Sequence, residues 1–124
     1  MVVDTSAILE ILFAGPHAQW CADQLRRVPA PCLLSTANLT EAVIVLMDRR
    51  SVTVEAATAM VDGFHLQIMP VDRAQALLAA QARLRFPLNL GDCYAYALAH
   101  QTGHTILTID RDFRAVDVPV LLPE

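Results

Sequence analysis

Lysine is missing from this chain of 124 residues, and all nine of its basic side chains are arginine. That absence removes chemistry that sets an ammonium beside a carboxylate, as a phosphoacceptor receiver domain requires. Arginine suits bidentate phosphate recognition, and genomic base composition explains the bias equally well. No apolar run can span a bilayer; the longest, residues 42–47, stops at Asp48-Arg49-Arg50. A signal peptide is not expected, because Asp4 stands where basic residues would be and no cleavage pattern follows. Cys21, Cys32 and Cys93 are scattered, without CxxC spacing. They read as reduced, partly buried thiols of a cytoplasmic protein and not as zinc ligands. His17, His65, His100 and His104 lack the spacing of a ligand pair and read as surface or helix-end residues. Repeats, low-complexity segments and linkers are absent as well.

What is present suffices for one domain, residues 1–124, with a core that needs neither disulfide nor structural metal. The hydrophobic fraction, 55%, is high for a soluble protein. It predicts an apolar surface patch and a protein partner. A formal charge of −4 looks wrong for a nucleic-acid binder, but distribution matters more than the sum. With Asp4, Glu41, Asp92, Asp110 and Asp112 set aside as a metal site, eight acids face nine arginines. Bound divalent metal would then reverse the local field.

Along the chain, Val2-Val3 leads as a strand into Asp4, and residues 6–14 have helical periodicity. Gly15-Pro16 ends that helix and opens a second over residues 17–28, with Pro16 in its first turn. Cys32-Leu33-Leu34 is a second strand, and Ser35 or Thr36 caps a helix over 37–50. Ser51 or Thr53 caps the next, over 54–64, and residues 66–69 alternate as a third strand. Asp72-x-x-Gln75 reads as a capping box opening a helix to about Phe86. A sixth helix starts near Asp92 and stops before Gly103. Residues 105–109 form the clearest strand, dense in β-branched residues and delivering Asp110 at its end. Residues 118–121 suit an edge strand. Strands alternating with helices predict an α/β sandwich around a mostly parallel sheet of four or five strands.

Such a fold brings strand C-termini and helix N-termini to one edge, where ligands bind. Asp4 and Asp110 end strands, Glu41 and Asp92 lie near helix starts, and Asp112 follows Asp110 by two residues. Converging carboxylates repel and raise one another's pKa unless a hard cation joins them. One or two Mg²⁺ or Mn²⁺ ions there would activate water and hold a phosphodiester. Each acid also has an ordinary reading. Asp4 could cap the first helix, Glu41 could occupy a solvated helix edge, and Asp92 could favour its helix dipole. Asp110 and Asp112 could be turn acids. Their joint placement carries the signal. A haloacid-dehalogenase-type phosphatase is disfavoured, because it needs an acid at position 6, which is Ser.

Four segments resemble the PIN-domain ribonucleases, and within them the VapC-type toxins. They are Val3-Asp4-Thr5-Ser6-Ala7, Asn38-Leu39-Thr40-Glu41-Ala42, Leu90-Gly91-Asp92-Cys93-Tyr94-Ala95-Tyr96-Ala97-Leu98-Ala99 and Leu107-Thr108-Ile109-Asp110-Arg111-Asp112-Phe113. Their order and spacing cover essentially the whole chain. The resemblance implies a PIN-like three-layer sandwich and a Mg²⁺- or Mn²⁺-dependent endoribonuclease acting on RNA. It also implies a homodimer neutralised by a VapB-like antitoxin. Asp4, Glu41 and Asp92 match the three acids shared across the family. The fourth is Asp110 or Asp112, since relatives use either position. Ser6 matches a hydroxyl that supports the first acid, and Thr108 is a candidate for the same part. Two alternatives stand beside the toxin: an RNA-processing PIN nuclease, and an inactive PIN fold that only binds.

Arg85, Arg111 and Arg114 are candidate phosphate contacts or plain surface arginines. Tyr94 and Tyr96 are candidates for base stacking or for core packing against the sheet. The apolar excess predicts an antitoxin groove on the first four helices, especially residues 8–13 and 52–64.

Overall fold

The computed structural model describes residues 1–124. Five short strands form one sheet: β1 (Val2–Val3), β2 (Leu33–Ser35), β3 (Gln67–Met69), β4 (Ile106–Leu107) and β5 (Val120–Leu121). Their order is β3-β2-β1-β4-β5, and every pairing is parallel. Six helices connect them: α1 (Thr5–Leu12), α2 (Ala18–Arg27), α3 (Thr36–Arg50), α4 (Val54–Asp62), α5 (Arg73–Arg85) and α6 (Leu90–Thr102). A 3₁₀ turn, Arg111–Ala115, links β4 to β5.

Successive strand residues point to opposite faces, which divides the core in two. Val2, Leu33 and Ile106 pack with α5 and α6. Val3, Leu34 and Leu107 pack with the first four helices. The apolar strand runs follow from burial on both faces. Cys21, Cys32 and Cys93 are free and buried, and burial raises each thiol's pKa. No helix is long and apolar enough to cross a membrane.

This topology fixes where a site belongs. From β1 the chain builds outward through β2 to β3, then returns to the other side of β1 for β4 and β5. The strand order therefore switches direction between β1 and β4, the position where open parallel sheets bind ligands. Asp4 follows β1, and Asp110 lies three residues beyond β4.

Several boundaries differ from expectation for identifiable reasons. The strand expected over 105–109 narrows to Ile106–Leu107. Beyond it, the N–H groups of Ile109 and Asp110 donate to the Ser6 and Thr108 hydroxyls instead of continuing the ladder. Pro16 lies outside α2, whose N-cap is His17. At α5 only half of the capping box forms: Asp72 accepts from the Gln75 N–H (2.8 Å), while the Gln75 side chain donates to Gln101 (2.8 Å). The complete box belongs to α6. Asn89 is its N-cap, so α6 starts at Leu90 and Asp92 occupies the third helical position.

Candidate active site

Asp4 occupies the N-cap position of α1 without capping it. Its Oδ2 instead accepts from Ser6 Oγ (2.7 Å) and Thr108 Oγ1 (2.9 Å). Each hydroxyl spends its proton on the carboxylate and accepts a backbone N–H from the β4 exit, Ile109 to Ser6 (3.2 Å) and Asp110 to Thr108 (3.0 Å). Asp4 Oδ1 is buried with no hydrogen-bond partner.

Glu41 lies more than a turn inside α3, not at its start. Its Oε1 accepts from Thr5 Oγ1 (2.9 Å) and from Asn38 Nδ2 (2.9 Å), one helical turn earlier. The second Asn38 amide proton goes to the Gly91 carbonyl (3.0 Å), so this fully buried amide fastens α3 to the first turn of α6. Gly91 leaves room for the Glu41 carboxylate, which a methyl group at that position would displace. Asp92 Oδ2 accepts weakly from the Asn89 N–H (3.4 Å), as the capping box demands.

Asp4, Glu41, Asp92 and Asp110 line one cavity of about 220 Å³, with Thr5, Ser6, Leu9, Val45 and Asn89 completing its wall. Asp112 is exposed and outside that lining; its N–H donates to Asp110 Oδ1 (2.9 Å). The structure thus brings four of the five sequence-predicted acids together and leaves Asp112 beside them. Burial raises the Asp4 pKa from 3.8 to about 6; the Ser6 and Thr108 hydrogen bonds oppose this and the Glu41 charge adds to it. Burial, then the charges of Asp4 and Asp110, raise Asp92 to about 8.

That donor set fits a hard divalent cation. Asp4 Oδ1 supplies an oxygen that nothing in the protein satisfies, and ionising the cluster is costly without a counter-charge. As they stand, no three of the acids are close enough together to form a metal-holding group.

Sequence reasoning missed Thr5, Asn38, Asn89 and Gly91 as positioning residues. Only Asn38 left a readable signal, its i,i+3 spacing from Glu41. Arg85 is exposed, paired with Asp117 (3.3 Å) and lying over the Phe86 ring. Arg111 and Arg114 are exposed on the 3₁₀ turn beside Asp110. The two tyrosines part company. Tyr96 is core, its hydroxyl donating to Asp117 (2.7 Å), whereas Tyr94 is half-buried in the wall of a second cavity.

The PIN domain profile matches residues 1–119. Ribonuclease VapC42 of Mycobacterium tuberculosis is 35% identical over 128 residues, covering 95% of this chain and 96% of that protein. Ribonuclease VapC30 of the same species is 34% identical over 134 residues, covering 99% and 100%. The crystal structure of M. tuberculosis VapC20, described as a sarcin-ricin loop cleaving toxin, superposes with a TM-score of 0.79 at 18% identity over 98% of each chain. A toxin–antitoxin complex from Klebsiella pneumoniae contains a chain that superposes at 0.77, with 20% identity over 99% of this chain and 97% of that one. These two share the three-layer fold. Matched over nearly its whole length and related throughout to VapC ribonucleases, the chain belongs to the PIN-domain family.

Proposed function

We propose that this protein is a Mg²⁺- or Mn²⁺-dependent endoribonuclease, the toxin of a VapBC-type toxin–antitoxin pair. The observation that carries the reading is Asp4 Oδ1, buried and unpartnered in a cavity shared with Glu41, Asp92 and Asp110. The names of the relatives agree with it. A bound divalent ion would supply an acidified water and charge neutralisation at the scissile phosphate. Asp4, Glu41, Asp92 and Asp110 are the proposed ligands. Ser6 and Thr108 occupy Asp4 Oδ2, which leaves Oδ1 as the oxygen that would hold an ion. Thr5 and Asn38 leave Glu41 Oε2 free by occupying Oε1. Leu9 and Val45 give the cavity an apolar wall, which strengthens every charge interaction inside it. The complete set of acids argues against an inactive binding module.

RNA cleavage stimulated by Mn²⁺, stopped by chelator and abolished in Asp4→Asn and Asp92→Asn is the expected result. Undiminished cleavage by those variants in chelator would overturn it. The toxin role predicts growth arrest on expression, relieved by co-expression of the small neighbouring gene; arrest-free expression would favour an RNA-processing nuclease.

An apolar groove of about 290 Å³ lined by Ile11, Ala22, Leu25, Arg26, Gly63 and Phe64 supports antitoxin docking across α1, α2 and the end of α4. Ile8, expected on that surface, is fully buried in the core instead. Protection of this groove from hydrogen exchange in the complex is the test, and protection confined to the opposite face would refute it. Homodimerisation is part of the same proposal. The free thiols and an RNA substrate suit a cytoplasmic setting.

A further inference from the structure

The largest cavity, about 480 Å³, is not the acidic one but its neighbour. Thr36, Ala37, Thr40, Glu41, Val71, Leu90, Gly91 and Tyr94 line it. The first turn of α6 separates the two: Asn89 and Asp92 face the acidic cleft, while Leu90, Gly91 and Tyr94 face the larger cavity. Glu41 borders both. A polymer with a phosphate among the four acids therefore has this cavity beside it for a flanking group.

The lining says which group. It contains no arginine and one carboxylate, so it does not suit a second phosphate. Its volume falls in the range of small-molecule sites, roughly 300–1,000 Å³. Its wall is aliphatic apart from the Tyr94 ring, two threonine hydroxyls and the Glu41 carboxylate on the side shared with the acidic cleft. Thr36 Oγ1 accepts from the Val71 N–H (3.3 Å), leaving its proton to donate. Thr40 spends its proton on the Thr36 carbonyl (3.0 Å), leaving its oxygen to accept. Away from the Glu41 edge, an open apolar wall with one aromatic face, and with one donor and one acceptor from the threonines, matches an uncharged heteroaromatic ring. Unpaired RNA bases are bound in this way, by stacking on aromatic side chains and hydrogen bonding at the edge.

We propose that this cavity receives the base of a nucleotide flanking the scissile phosphate, with Tyr94 as its stacking wall and Thr36 and Thr40 reading its edge. The subsite rests on the ribonuclease reading above and gives the enzyme a base preference beside the cut.

The test uses the full chain with Mn²⁺ on single-stranded RNA, compared with strands made abasic at each flanking nucleotide in turn. One abasic position should lower kcat/KM by about tenfold or more, the usual size of a base-stacking contact. Tyr94→Leu should lose the same factor on intact RNA and nothing further on that abasic strand, and Tyr94→Phe, which keeps the ring, should recover the loss. Should Tyr94→Leu fail to fold, Ala37→Leu, which fills the same cavity from α3, carries the same expectation. Equal losses on both strands, or none, overturn the subsite. Unchanged cleavage with lost self-association or antitoxin binding overturns it in favour of a protein contact. If the parent chain cuts no RNA at all, the ribonuclease reading itself fails; cleavage indifferent to the flanking bases refutes only the subsite.

Discussion

Thr108 Oγ1 donates to Asp4 Oδ2 at 2.9 Å, joining residues 104 apart in sequence at the exits of neighbouring strands. The same oxygen accepts the Asp110 N–H, so one buried hydroxyl orients the first acid and fixes the loop that carries the last. Thr108→Val keeps the shape and removes both bonds. It should destabilise the protein by about 1–3 kcal/mol, because a buried N–H and a carboxylate oxygen each lose a partner. The Asp4 pKa should rise further as an opposing hydrogen bond disappears. Urea unfolding and RNA cleavage check this, with a cleavage loss of about tenfold or more expected. Unchanged stability would show that the hydroxyl is dispensable.

Gly91→Ala is expected to separate stability from activity. Gly91 sits in the first turn of α6 with no positive φ, so alanine suits the backbone and stabilises it by roughly 0.5–1 kcal/mol. The added methyl collides with the end of the flexible Glu41 side chain. The carboxylate must therefore leave its place against Gly91, while the helices stay. Melting temperature should hold or rise while cleavage falls by about tenfold or more, since displacements of about 1 Å can cost a hundredfold. A marked drop in melting temperature would mean that the backbone, not Glu41, had yielded.

The buried acids also set a pH dependence. Asp4 and Asp92 hold their protons more tightly in the folded chain than the ordinary 3.8, to about 6 and about 8. Between those limits the native state carries more protons than the unfolded state, so stability falls as pH rises. The metal-free melting temperature should drop by about 5 °C or more from pH 5 to pH 8. If Mn²⁺ occupies the proposed site, it should raise the melting temperature more at pH 8 than at pH 5, because metal binds ionised carboxylates. Asp92→Asn, which cannot ionise, should flatten the upper part of the profile. A metal-free melting temperature that rises across this range would contradict the site's electrostatics.

The sequence disclosed what depends on residue type and local order. Val2-Val3 before Asp4, and the β-branched run before Asp110, mark strand exits, and alternating helices make the sheet parallel. What it hid depends on approach between distant elements. Asn38 reaches Gly91 only because α3 and α6 meet, and the missing side chain at Gly91 matters only because Glu41 lies against it. The strand after His104 reads as five residues but ends early, since Ser6, 103 residues away, captures the Ile109 N–H. Nor could the sequence show that Arg85 lies against Asp117, 32 residues on. Periodicity cannot report such pairings.

Asp110 and Asp112 are two residues apart and equivalent in composition, yet the 3₁₀ turn treats them differently. Asp110 is its N-cap, half-buried and in the cavity wall, and its charge helps raise the Asp92 pKa. Asp112 is exposed, and its contribution to the site is its backbone N–H, which orients Asp110. Asp110→Asn should therefore cost on the order of a hundredfold in cleavage, as loss of a preorganised charge does, and should lower the Asp92 pKa. Asp112→Asn keeps the N–H and changes only a surface side chain, so cleavage should stay within about threefold, the effect expected of surface substitutions. Metal titration of both variants by calorimetry separates ligand from bystander: binding should weaken in Asp110→Asn and persist in Asp112→Asn. The reverse result would require the turn to rearrange when metal binds, bringing Asp112 inward in place of Asp110.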